Sequence, residues 1–368
     1  MGGDKSVMLA AGGTGGHLYP AYALAEALAK RRIAVDLVTD TRGDRYGTGF
    51  PARKIYQVPS ATAGSNPVKA AYAAIQLSRG VAAAHKMLGE VKPAAVIGFG
   101  GYPTFPPLLA AKLRGIPTAV HEQNAVLGRA NRMLASRVNA IATSFTETKL
   151  IDGALVSKAH LTGNPVRAIV IDAARRNYWR PEPGQPVRLT VFGGSQGARF
   201  FSDTVPPALA LLPPAQRIRL QVTQQARAED VIRVKAAYAE SAIACEVAPF
   251  FADLPARIAE SHLVIGRAGA STIAELTVIG RPAILVPLPH SLDNDQLHNA
   301  SRVAESGGAW CIQQSDLTAE RLAAEIEMLL SRPAMLANAA AAAKALGQPQ
   351  AVEKLADLAV ALIEGRLV

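Results

Sequence analysis

Two glycine-rich segments of the same design, roughly half a chain apart, constrain the fold more than any other feature. Residues 6–28 and 188–209 each begin with a short apolar run, turn at paired glycines and continue with apolar residues at helical spacing. Glycine permits positive φ and close approach to the backbone. The N-terminus of the following helix offers N–H groups and the positive end of its dipole to an anion such as a phosphate. Two such strand–turn–helix segments predict two similar α/β domains that face each other across a cleft.

The rest of the chain repeats this alternation on both sides of a linker at residues 175–188, which is rich in proline, glycine and charge. The pattern predicts an α/β fold with two Rossmann-like, doubly wound parallel sheets. A chain of 368 residues that is 49% hydrophobic is long enough for two cores. Ligands of such sheets bind at the carboxyl ends of the strands, where residues 12–17, 98–102 and 121–124 fall. Because burial of four polar residues is costly, we expect residues 121–124 to face the cleft.

Composition limits the kinds of partner that the protein would bind and the cellular compartment in which it would fold. The 39 Lys and Arg residues exceed the 29 Asp and Glu residues, and the net charge of +10 favours anionic partners or a solvated basic surface. Nucleic acid is disfavoured because only 5% of residues are aromatic and no basic run or zinc-finger spacing occurs. The two cysteines, Cys245 and Cys311, indicate no disulfide framework and favour a reducing cytoplasm. We find neither a signal peptide nor an apolar run of about 20 residues, so we expect a soluble or peripheral protein.

The first glycine-rich loop admits more than one interpretation. Residues 12–17 could form a dinucleotide fingerprint, but Leu18 stands where the third small residue belongs. Asp40, at the end of the second predicted strand, keeps a nicotinamide-binding alternative open. No P-loop motif occurs. His17 lies where the loop meets the helix, and it is either a core or capping histidine or a functional one. Its place among the small residues of a ligand loop favours function.

Two later motifs concern anions and metals. Residues 266–276 predict a third strand–loop–helix anion site. Glu275, one turn into that helix, is either an acid favoured by the helix dipole or a carboxylate that accepts hydrogen bonds from a ribose diol. The triplet at 293–295 is a DxD sequence, the metal–nucleotide signature of one glycosyltransferase class, but it also opens a predicted helix where Asp is an ordinary N-cap. His290 and His298 are poorly spaced for a shared metal. We therefore predict no metal site.

Seven motifs occur in order over residues 6–305: GGTGGHLYPA, GFGGYPTFPP, HEQNAVLGRANR, GNPVR, GGSQGA, GRAGASTIAEL and DNDQLHNA. Together they resemble the family of bacterial undecaprenyldiphospho-muramoylpentapeptide β-N-acetylglucosaminyltransferases, peptidoglycan enzymes that make lipid II from lipid I. The resemblance implies a GT-B fold. Its N-terminal Rossmann-like domain, residues 1–167, would serve the acceptor and the membrane. Its C-terminal Rossmann-like domain, residues 168–345, would bind the UDP-GlcNAc donor. A C-terminal helix, residues 346–368, would return to the N-terminal domain.

The resemblance also implies donor contacts, position by position. Contacts from the N-terminal side and the hinge would be made by Thr14, Gly15, Gly16, Asn124 and Arg167. The diphosphate would meet Ser195, and uracil would be held by main chain at Phe251. The diphosphate and ribose would be bound by Ala270, Ser271, Thr272, Ile273, Ala274 and Glu275, and the GlcNAc hydroxyls by Gln296. The chain departs from the family pattern at two places: Asp295 replaces a frequent second Gln, and Thr223-Gln224-Gln225 replaces a more usual His-Gln-Thr-Gly.

The implied reaction is an inverting transfer, in which the C4 hydroxyl of lipid I attacks the anomeric carbon of UDP-GlcNAc. It requires a base for the hydroxyl and stabilisation of the departing UDP. His17 is the candidate base and Glu122 the substitute. Helix N-termini and Arg167 would stabilise UDP without a metal or other cofactor. The expected partners are UDP-GlcNAc and lipid I, with no nucleic acid. Rival interpretations are a binding module that closes on a nucleotide sugar and a UDP-GlcNAc 2-epimerase.

A lipid-bound acceptor implies a peripheral enzyme on the anionic, cytoplasmic face of the bacterial plasma (inner) membrane. The helical pattern at 66–93 is the candidate docking element, although an ordinary amphipathic core helix has the same pattern. Its apolar residues are Val68, Ala71, Tyr72, Ile75, Val81 and Leu88. Its basic residues are Lys69, Arg79, His85 and Lys86, and the next helix adds Lys112 and Arg114. An apolar stripe ringed by cations would give reversible, salt-sensitive attachment.

Overall fold

The computed structural model describes residues 5–12, 15–40, 49–60, 67–194 and 199–367, without the side chains of residues 15 and 67–71. The chain divides into two compact units. Unit 1 comprises Met1–Arg167 with Gln348–Val368, and unit 2 comprises Ala168–Gly347.

In unit 1 the described residues form one parallel sheet of seven strands. The strands are β1 (Ser6–Ala10), β2 (Ala34–Thr39), β3 (Ile55–Gln57), β4 (Ala95–Gly98), β5 (Thr118–Glu122), β6 (Ala140–Thr143) and β7 (Ala159–Leu161). Their spatial order is β3-β2-β1-β4-β5-β6-β7. The chain thus winds outward from β1 in one direction and then from β4 in the other, the arrangement of a doubly wound sheet.

Helices cover both faces of this sheet. They are α1 (Gly15–Lys30), α2 (Pro67–Val91), α3 (Phe105–Leu113) and α4 (Arg129–Ala135). Alternate residues of the central strand β1 enter different cores, as expected for a strand buried on both faces. Val7 and Leu9 pack with α1, whereas Met8 and Ala10 pack with α2 and α3. The alternating strand and helix pattern of the sequence is therefore borne out here.

In unit 2 the described residues form a second parallel sheet, of six strands. They are β8 (Val187–Phe192), β9 (Leu220–Gln225), β10 (Ala244–Ala248), β11 (Leu263–Gly266), β12 (Ala283–Leu285) and β13 (Ala309–Cys311). The spatial order is β10-β9-β8-β11-β12-β13, which again reverses direction beside the first strand. The predicted fold class, an α/β chain with two Rossmann-like, doubly wound parallel sheets, is confirmed.

The helices of unit 2 surround this sheet. In chain order they are α5 (Ala168–Ala173), α6 (Arg199–Ala210), α7 (Pro214–Arg217), α8 (Val231–Glu240), α9 (Leu254–Ala259), α10 (Ala270–Ile279), α11 (Asp295–Glu305), α12 (Ala319–Ser331) and α13 (Pro333–Leu346). Gly280 ends α10 in a left-handed conformation with φ of 75°, and its N–H donates to the carbonyl of Leu276. This is the conformation in which glycine ends a helix without the strain of a side chain.

The last helix, α14 (Ala351–Ile363), belongs to unit 1. Leu355 and Leu362 are buried in the core that lies under α1. At the surface of α14, the guanidinium of Arg31, the residue directly after α1, contacts the carboxylates of Glu353 and Asp357, at 2.6 Å each. The chain therefore leaves unit 1 after Arg167 and re-enters it at Gln348.

Only part of the apolar stripe predicted as a docking surface on α2 is exposed. Leu88 is buried in the core of unit 1, and Val81 packs against that core. Tyr72 and Ile75 are more than half exposed, and Arg79 and Lys86 are exposed. The side chains of Val68, Lys69 and Ala71 lie outside the described part. None of the helices in the described part of the chain has both the length and the apolar character needed to cross a membrane.

Candidate active site

His17 lies in the first turn of α1, directly after the first glycine-rich loop, and is half-buried. Its imidazole rests on the turn that follows β4. A Cβ atom built on Gly100 would lie 3.3 Å from His17 Nε2, and one on Gly101 would lie 3.4 Å from Nδ1. Both glycines have positive φ, 86° and 76°. Glycine is required here because a side chain would be strained and would crowd the ring.

The polar residues at the end of β5 do not face outward, contrary to our expectation for residues 121–124. His121, Glu122 and Gln123 are buried, with exposures of 0%, 1% and 3%, and only Asn124 is half-exposed. They avoid the cost of burial because each finds hydrogen-bond partners in neighbouring loops. The expectation was wrong for these three residues because the folded chain supplies their partners, distant in sequence for His121 and Gln123 and nearer for Glu122.

Glu122 is a buried carboxylate that holds its own loop. Oε1 accepts hydrogen bonds from the backbone N–H of Asn124 at 3.0 Å and from its side-chain amide at 3.3 Å. Oε2 accepts from the N–H of Gly128 at 2.9 Å and from Asn131 Nδ2 at 2.8 Å. Burial raises the pKa of Glu122, and these four hydrogen bonds oppose the rise. The carboxylate thereby fixes the position of Asn124, the implied donor contact.

In unit 2, the implied diphosphate and ribose residues form the first turns of α10, directly after β11. Ala270, Ser271, Thr272, Ala274 and Glu275 are half-buried, and Ile273 is buried. The N-cap residue before the helix is Gly269, whose lack of a side chain leaves the cap without a side-chain hydrogen bond. The N–H groups of a first turn have no partner within their own helix. Together with the helix dipole, they form a site for an anion.

Gln296, the implied sugar contact, joins two loops beside that helix. Its Oε1 accepts from the backbone N–H of Ala268 at 3.2 Å and from that of Leu288 at 3.0 Å. Asn299, also on α11 and fully buried, donates from Nδ2 to the carbonyl of Ala268 at 3.0 Å. Both the N–H and the carbonyl of Ala268, just before α10, are thus hydrogen-bonded to side chains of α11. The carbonyl oxygen of Gln296 is occupied, so its Nε2 is the group suited to a sugar hydroxyl.

Phe251, the implied uracil position, follows β10 and is buried at 8% exposure. The guanidinium carbon of Arg257 lies 4.4 Å from the centroid of its ring. Arg257 also donates to Glu246 at 2.5 and 3.0 Å and to Asp253 at 2.8 Å. A cation over an aromatic face, itself held by two carboxylates, fixes the backbone of this segment.

The DxD triplet at 293–295 does not cap its helix as we expected. Asn294 is the residue before α11, in a left-handed conformation and without a side-chain cap, and Asp293 also has positive φ, 54°. Asp295 lies inside the first turn, where Oδ1 accepts from the N–H of Gln296 at 2.7 Å. Within the described residues, no three or more His, Cys, Asp or Glu side chains are grouped so that they could hold a metal ion.

The remaining implied residues are distributed as follows. Gly15 and Gly16 begin α1, beside His17. Arg167 is exposed and is the last residue of unit 1 before the chain enters unit 2. Thr14 and Ser195 lie outside the described residues. Within unit 1 the structure therefore brings the start of α1 close to the loop after β4. Within unit 2 it brings the start of α10 close to Gln296.

Sequence reasoning missed two residues that hold the loops of unit 2. Gln225, in the segment 223–225 that departs from the family pattern, accepts from the N–H of Gly193 at 3.2 Å and donates to the carbonyl of Pro249 at 3.1 Å. It joins the second glycine-rich loop to the Phe251 segment. Arg267 is buried and donates to the carbonyls of Val286 and Pro287 and to the side chain of Gln314. The available signal was a polar side chain at the end of a strand for Gln225 and directly after a buried strand for Arg267.

Two family models match the chain. The Glycosyltransferase family 28 N-terminal domain matches residues 7–143, and the Glycosyltransferase family 28 C-terminal domain matches residues 188–356. The fold and these matches define a two-domain glycosyltransferase. The chain belongs to glycosyltransferase family 28.

Named relatives specify the family further. Proteins from Allorhizobium ampelinum and Sinorhizobium fredii are 53% and 54% identical to the chain. The alignments cover 98% and 99% of this chain and 96% and 98% of the relatives. Both relatives are named UDP-N-acetylglucosamine--N-acetylmuramyl-(pentapeptide) pyrophosphoryl-undecaprenol N-acetylglucosamine transferase. The family inferred from the seven motifs is thereby confirmed.

Solved structures agree. MurG from Acinetobacter baumannii is 31% identical and superposes with a TM-score of 0.81, over 96% of this chain and 98% of that one. A Listeria monocytogenes protein provisionally assigned as a UDP-N-acetylglucosamine 2-epimerase superposes with a TM-score of 0.66 over 99% of this chain and 98% of that one. It is only 16% identical, so it shares the fold alone.

Proposed function

We propose that this protein transfers GlcNAc from UDP-GlcNAc to the C4 hydroxyl of lipid I, with inversion at the anomeric carbon, and so forms lipid II. The observation that carries the proposal is the start of α10. An uncapped helix N-terminus follows β11, Glu275 lies one turn inside it, and Gln296 is anchored beside it. This arrangement suits a diphosphate, a ribose diol and a sugar, in a chain whose relatives are named for this transfer.

Unit 2 is the proposed donor domain. The N–H groups of Ala270, Ser271 and Thr272 would bind the diphosphate, whose charge increases as UDP departs. Glu275 would accept hydrogen bonds from the ribose hydroxyls. The main chain at Phe251 would hold uracil, and Ser195 would add a diphosphate contact. Helix-terminal N–H groups are permanent donors, so UDP can leave without a metal ion or another cofactor.

Gln296 has a defined orientation toward the sugar in this proposal. Because Oε1 accepts two backbone N–H groups, Nε2 would donate to a hydroxyl oxygen of GlcNAc. A sugar lacking that hydroxyl would leave the Nε2 donor without its partner, which disfavours it.

Unit 1 is the proposed acceptor domain, with His17 as the general base. An imidazole suits removal of a hydroxyl proton near neutral pH, since the unperturbed pKa of histidine in general is about 6.5. We favour His17 over Glu122 because both carboxylate oxygens of Glu122 already accept hydrogen bonds in a buried loop. Thr14, Gly15, Gly16, Asn124 and Arg167 would complete the donor contacts from this side. Glu122 would act by holding Asn124 in place.

We propose peripheral attachment of unit 1 to the cytoplasmic face of the bacterial plasma membrane. The helix α2 carries the exposed apolar side chains Tyr72 and Ile75 and the exposed cations Arg79 and Lys86. The helix α3 packs beside α2 and ends in the exposed residues 112–114, Lys-Leu-Arg. Apolar groups interspersed with cations favour a reversible attachment to anionic lipid.

One assay separates the candidate functions: UDP release from UDP-GlcNAc, measured with and without a lipid I analogue. A transferase releases UDP stoichiometrically with a disaccharide product only when the acceptor is present. Binding of UDP-GlcNAc without UDP release in either case would indicate a binding module. Acceptor-independent conversion at C2 of the sugar would indicate a 2-epimerase. Either result would contradict the proposal.

A further inference from the structure

The buried amide of Gln123, after β5, joins its own loop to the loop after β4. Its Nε2 donates to the carbonyl oxygen of Phe99 at 2.9 Å and lies 3.1 Å from His121 Nδ1. A side-chain NH2 group has two protons, so one can serve each acceptor. Phe99 immediately precedes the Gly100–Gly101 turn on which the His17 ring rests. Gln123 therefore holds the support of His17 in place.

His121 can accept from Gln123 because its other nitrogen is committed. Nε2 lies 3.0 Å from the carbonyl oxygen of Gly163, which can only accept, so Nε2 carries the proton and Nδ1 has the free lone pair. Burial lowers the pKa of His121 to about 4, so the ring is neutral near pH 7. A proton on Nδ1 would face the Gln123 amide and break this link.

The Gly163 carbonyl is itself firmly placed. Gly163 has φ of 86°, and its N–H donates to the carbonyl of Thr143 at 3.0 Å. A Cβ atom at this position would lie 2.4 Å from the Cβ of Gln348, so the C-terminal segment of unit 1 closes over the turn. A chain of hydrogen bonds therefore leads from Gly163 through His121 and Gln123 to Phe99. Phe99 precedes the Gly100–Gly101 turn that supports His17.

We propose that Gln123 is a positioning residue for His17: it holds the Gly100–Gly101 turn at the distance from which the imidazole can meet the acceptor hydroxyl. The inference rests on the proposed role of His17 as the base. It assigns to Gln123 an effect on the rate of the chemical step rather than on donor binding.

The test replaces Gln123 by methionine, which has a similar length and no N–H donor. In the full-length Gln123→Met enzyme, kcat should fall about 10- to 100-fold, the cost expected when a reacting group is displaced by about 1 Å. The KM for UDP-GlcNAc should stay within about twofold, since ground-state donor binding is untouched. The control is Gln225→Met, the same change at the amide that joins two loops in unit 2, which should raise the KM for UDP-GlcNAc instead. The proposal is overturned if Gln123→Met leaves kcat unchanged, including the case in which kcat/KM falls only because KM rises.

A double-mutant cycle separates this inference from the assignment of the base. If Gln123 acts through His17, the variant that combines His17→Ala with Gln123→Met should have the kcat of His17→Ala alone. Losses that multiply would show that Gln123 acts elsewhere. If His17→Ala by itself leaves kcat unchanged, the base assignment fails whatever Gln123 does.

A measurement on the unaltered enzyme applies even if Gln123→Met does not fold. In the ¹⁵N spectrum of the histidine side chains at pH 7, His121 should show an unprotonated Nδ1 and a protonated Nε2. A Nδ1-protonated or charged His121 would exclude the hydrogen bond from Gln123 and overturn the proposal.

Discussion

Units 1 and 2 share one architecture but hold the loops at their strand ends with different chemistry. In unit 1 the turn after β7 is held by an imidazole, His121, and the loop after β5 by a carboxylate, Glu122, both buried. In unit 2 the loops are held by the amides of Gln225 and Gln296 and by Arg267, whose protonation states do not change near neutral pH. The unit proposed to move a proton thus has titratable groups among its supports, and the unit proposed to bind the donor relies on fixed dipoles and a permanent charge.

The histidine that unit 2 does bury lies at the other end of its sheet. His262 immediately precedes β11, and its Nδ1 accepts from the N–H of Arg188 at 2.9 Å. Burial, followed by nearby arginines, lowers its pKa to about 4, as burial does for His121. His121 is at the carboxyl end of β5, where ligands of parallel sheets bind, whereas His262 is at an amino end. Substitutions of the two histidines can therefore distinguish an effect on stability from an effect on function.

The largest effect should come from the proposed base of unit 1. His17→Ala should lower kcat by about 10²- to 10⁴-fold, the usual loss when a general base is removed. Steady-state kinetics at saturating UDP-GlcNAc and lipid I analogue, with calorimetry of UDP-GlcNAc binding as the control, would measure it. A near-normal kcat in this variant would show that His17 is not the base, and proton transfer by His17 would then not distinguish unit 1 from unit 2.

The second prediction concerns stability at low pH. The folded pKa of His262 is about 4 and the unfolded value about 6.5, so the unfolded chain binds the proton first as the pH falls. Its neutral form thus contributes stability that is present above pH 6.5 and lost between pH 6.5 and about 4, in total about 3 kcal/mol. Urea denaturation should show the loss, and His262→Asn, which keeps an acceptor for the Arg188 N–H, should reduce it.

The same variant tests whether position in the sheet matters. His262→Asn should leave kcat at neutral pH unchanged, because His262 lies at the opposite end of its sheet from the proposed site. A stability profile with no loss between pH 6.5 and 4 would contradict the burial argument. A large fall in kcat would contradict the functional contrast between His262 and His121.

The third prediction tests the donor unit. Glu275→Ala should weaken UDP-GlcNAc affinity by about 1.5–3 kcal/mol, or roughly 10- to 150-fold, because charge-assisted hydrogen bonds to the ribose are lost. Calorimetric titration with UDP-GlcNAc would measure it, and a melting curve would serve as the control for folding. Affinity equal to that of the unaltered protein would reject the ribose assignment and leave Glu275 as an acid favoured by the helix dipole.

Local patterns predicted the architecture well because the main strands are continuous apolar runs and the helices repeat at helical spacing. The runs at residues 6–10 and 263–266 became the central strands of their sheets. The edge strands β7 and β13 have three residues each, too few for a periodic signal.

The candidate site was predictable only in part. Its residue types and their places at strand ends were visible, because parallel strands bring their carboxyl ends to one edge. The partners of His121 and Gln123 were not visible: Gly163 and Phe99 are 42 and 24 residues away, so only the folded chain brings them together. Leu88 shows the same limit, because helical spacing does not reveal which side of an amphipathic helix meets the sheet. The donor roles in unit 2 came from the family resemblance, and the structure then added the bonds that hold Gln296.

A fourth prediction asks whether membrane attachment is a property of unit 1. The protein should co-sediment with anionic vesicles at low salt and be released at high salt, since each basic residue near the surface contributes about 1 kcal/mol. The charge reversal Arg79→Glu with Lys86→Glu on α2 should weaken this binding by at least about tenfold. The matched control is Arg227→Glu with Lys235→Glu, two exposed cations of unit 2, which should have little effect. Equal binding to neutral and anionic vesicles, or equal loss in both variants, would argue against a basic docking face on unit 1.

The last prediction is that removal of metal ions has no effect on turnover. It tests whether unit 2 needs a metal ion in addition to its fixed dipoles. We expect turnover to persist in excess EDTA, because the N–H groups at the start of α10 would bind the diphosphate directly. Asp293 and Asp295 flank a left-handed residue, and Asp295 accepts from its neighbour's N–H. The assay compares kcat with EDTA, with EDTA followed by Mg²⁺ or Mn²⁺, and without either. Loss of activity that added metal restores would revive the DxD interpretation and place an ion, rather than the helix terminus, at the departing UDP.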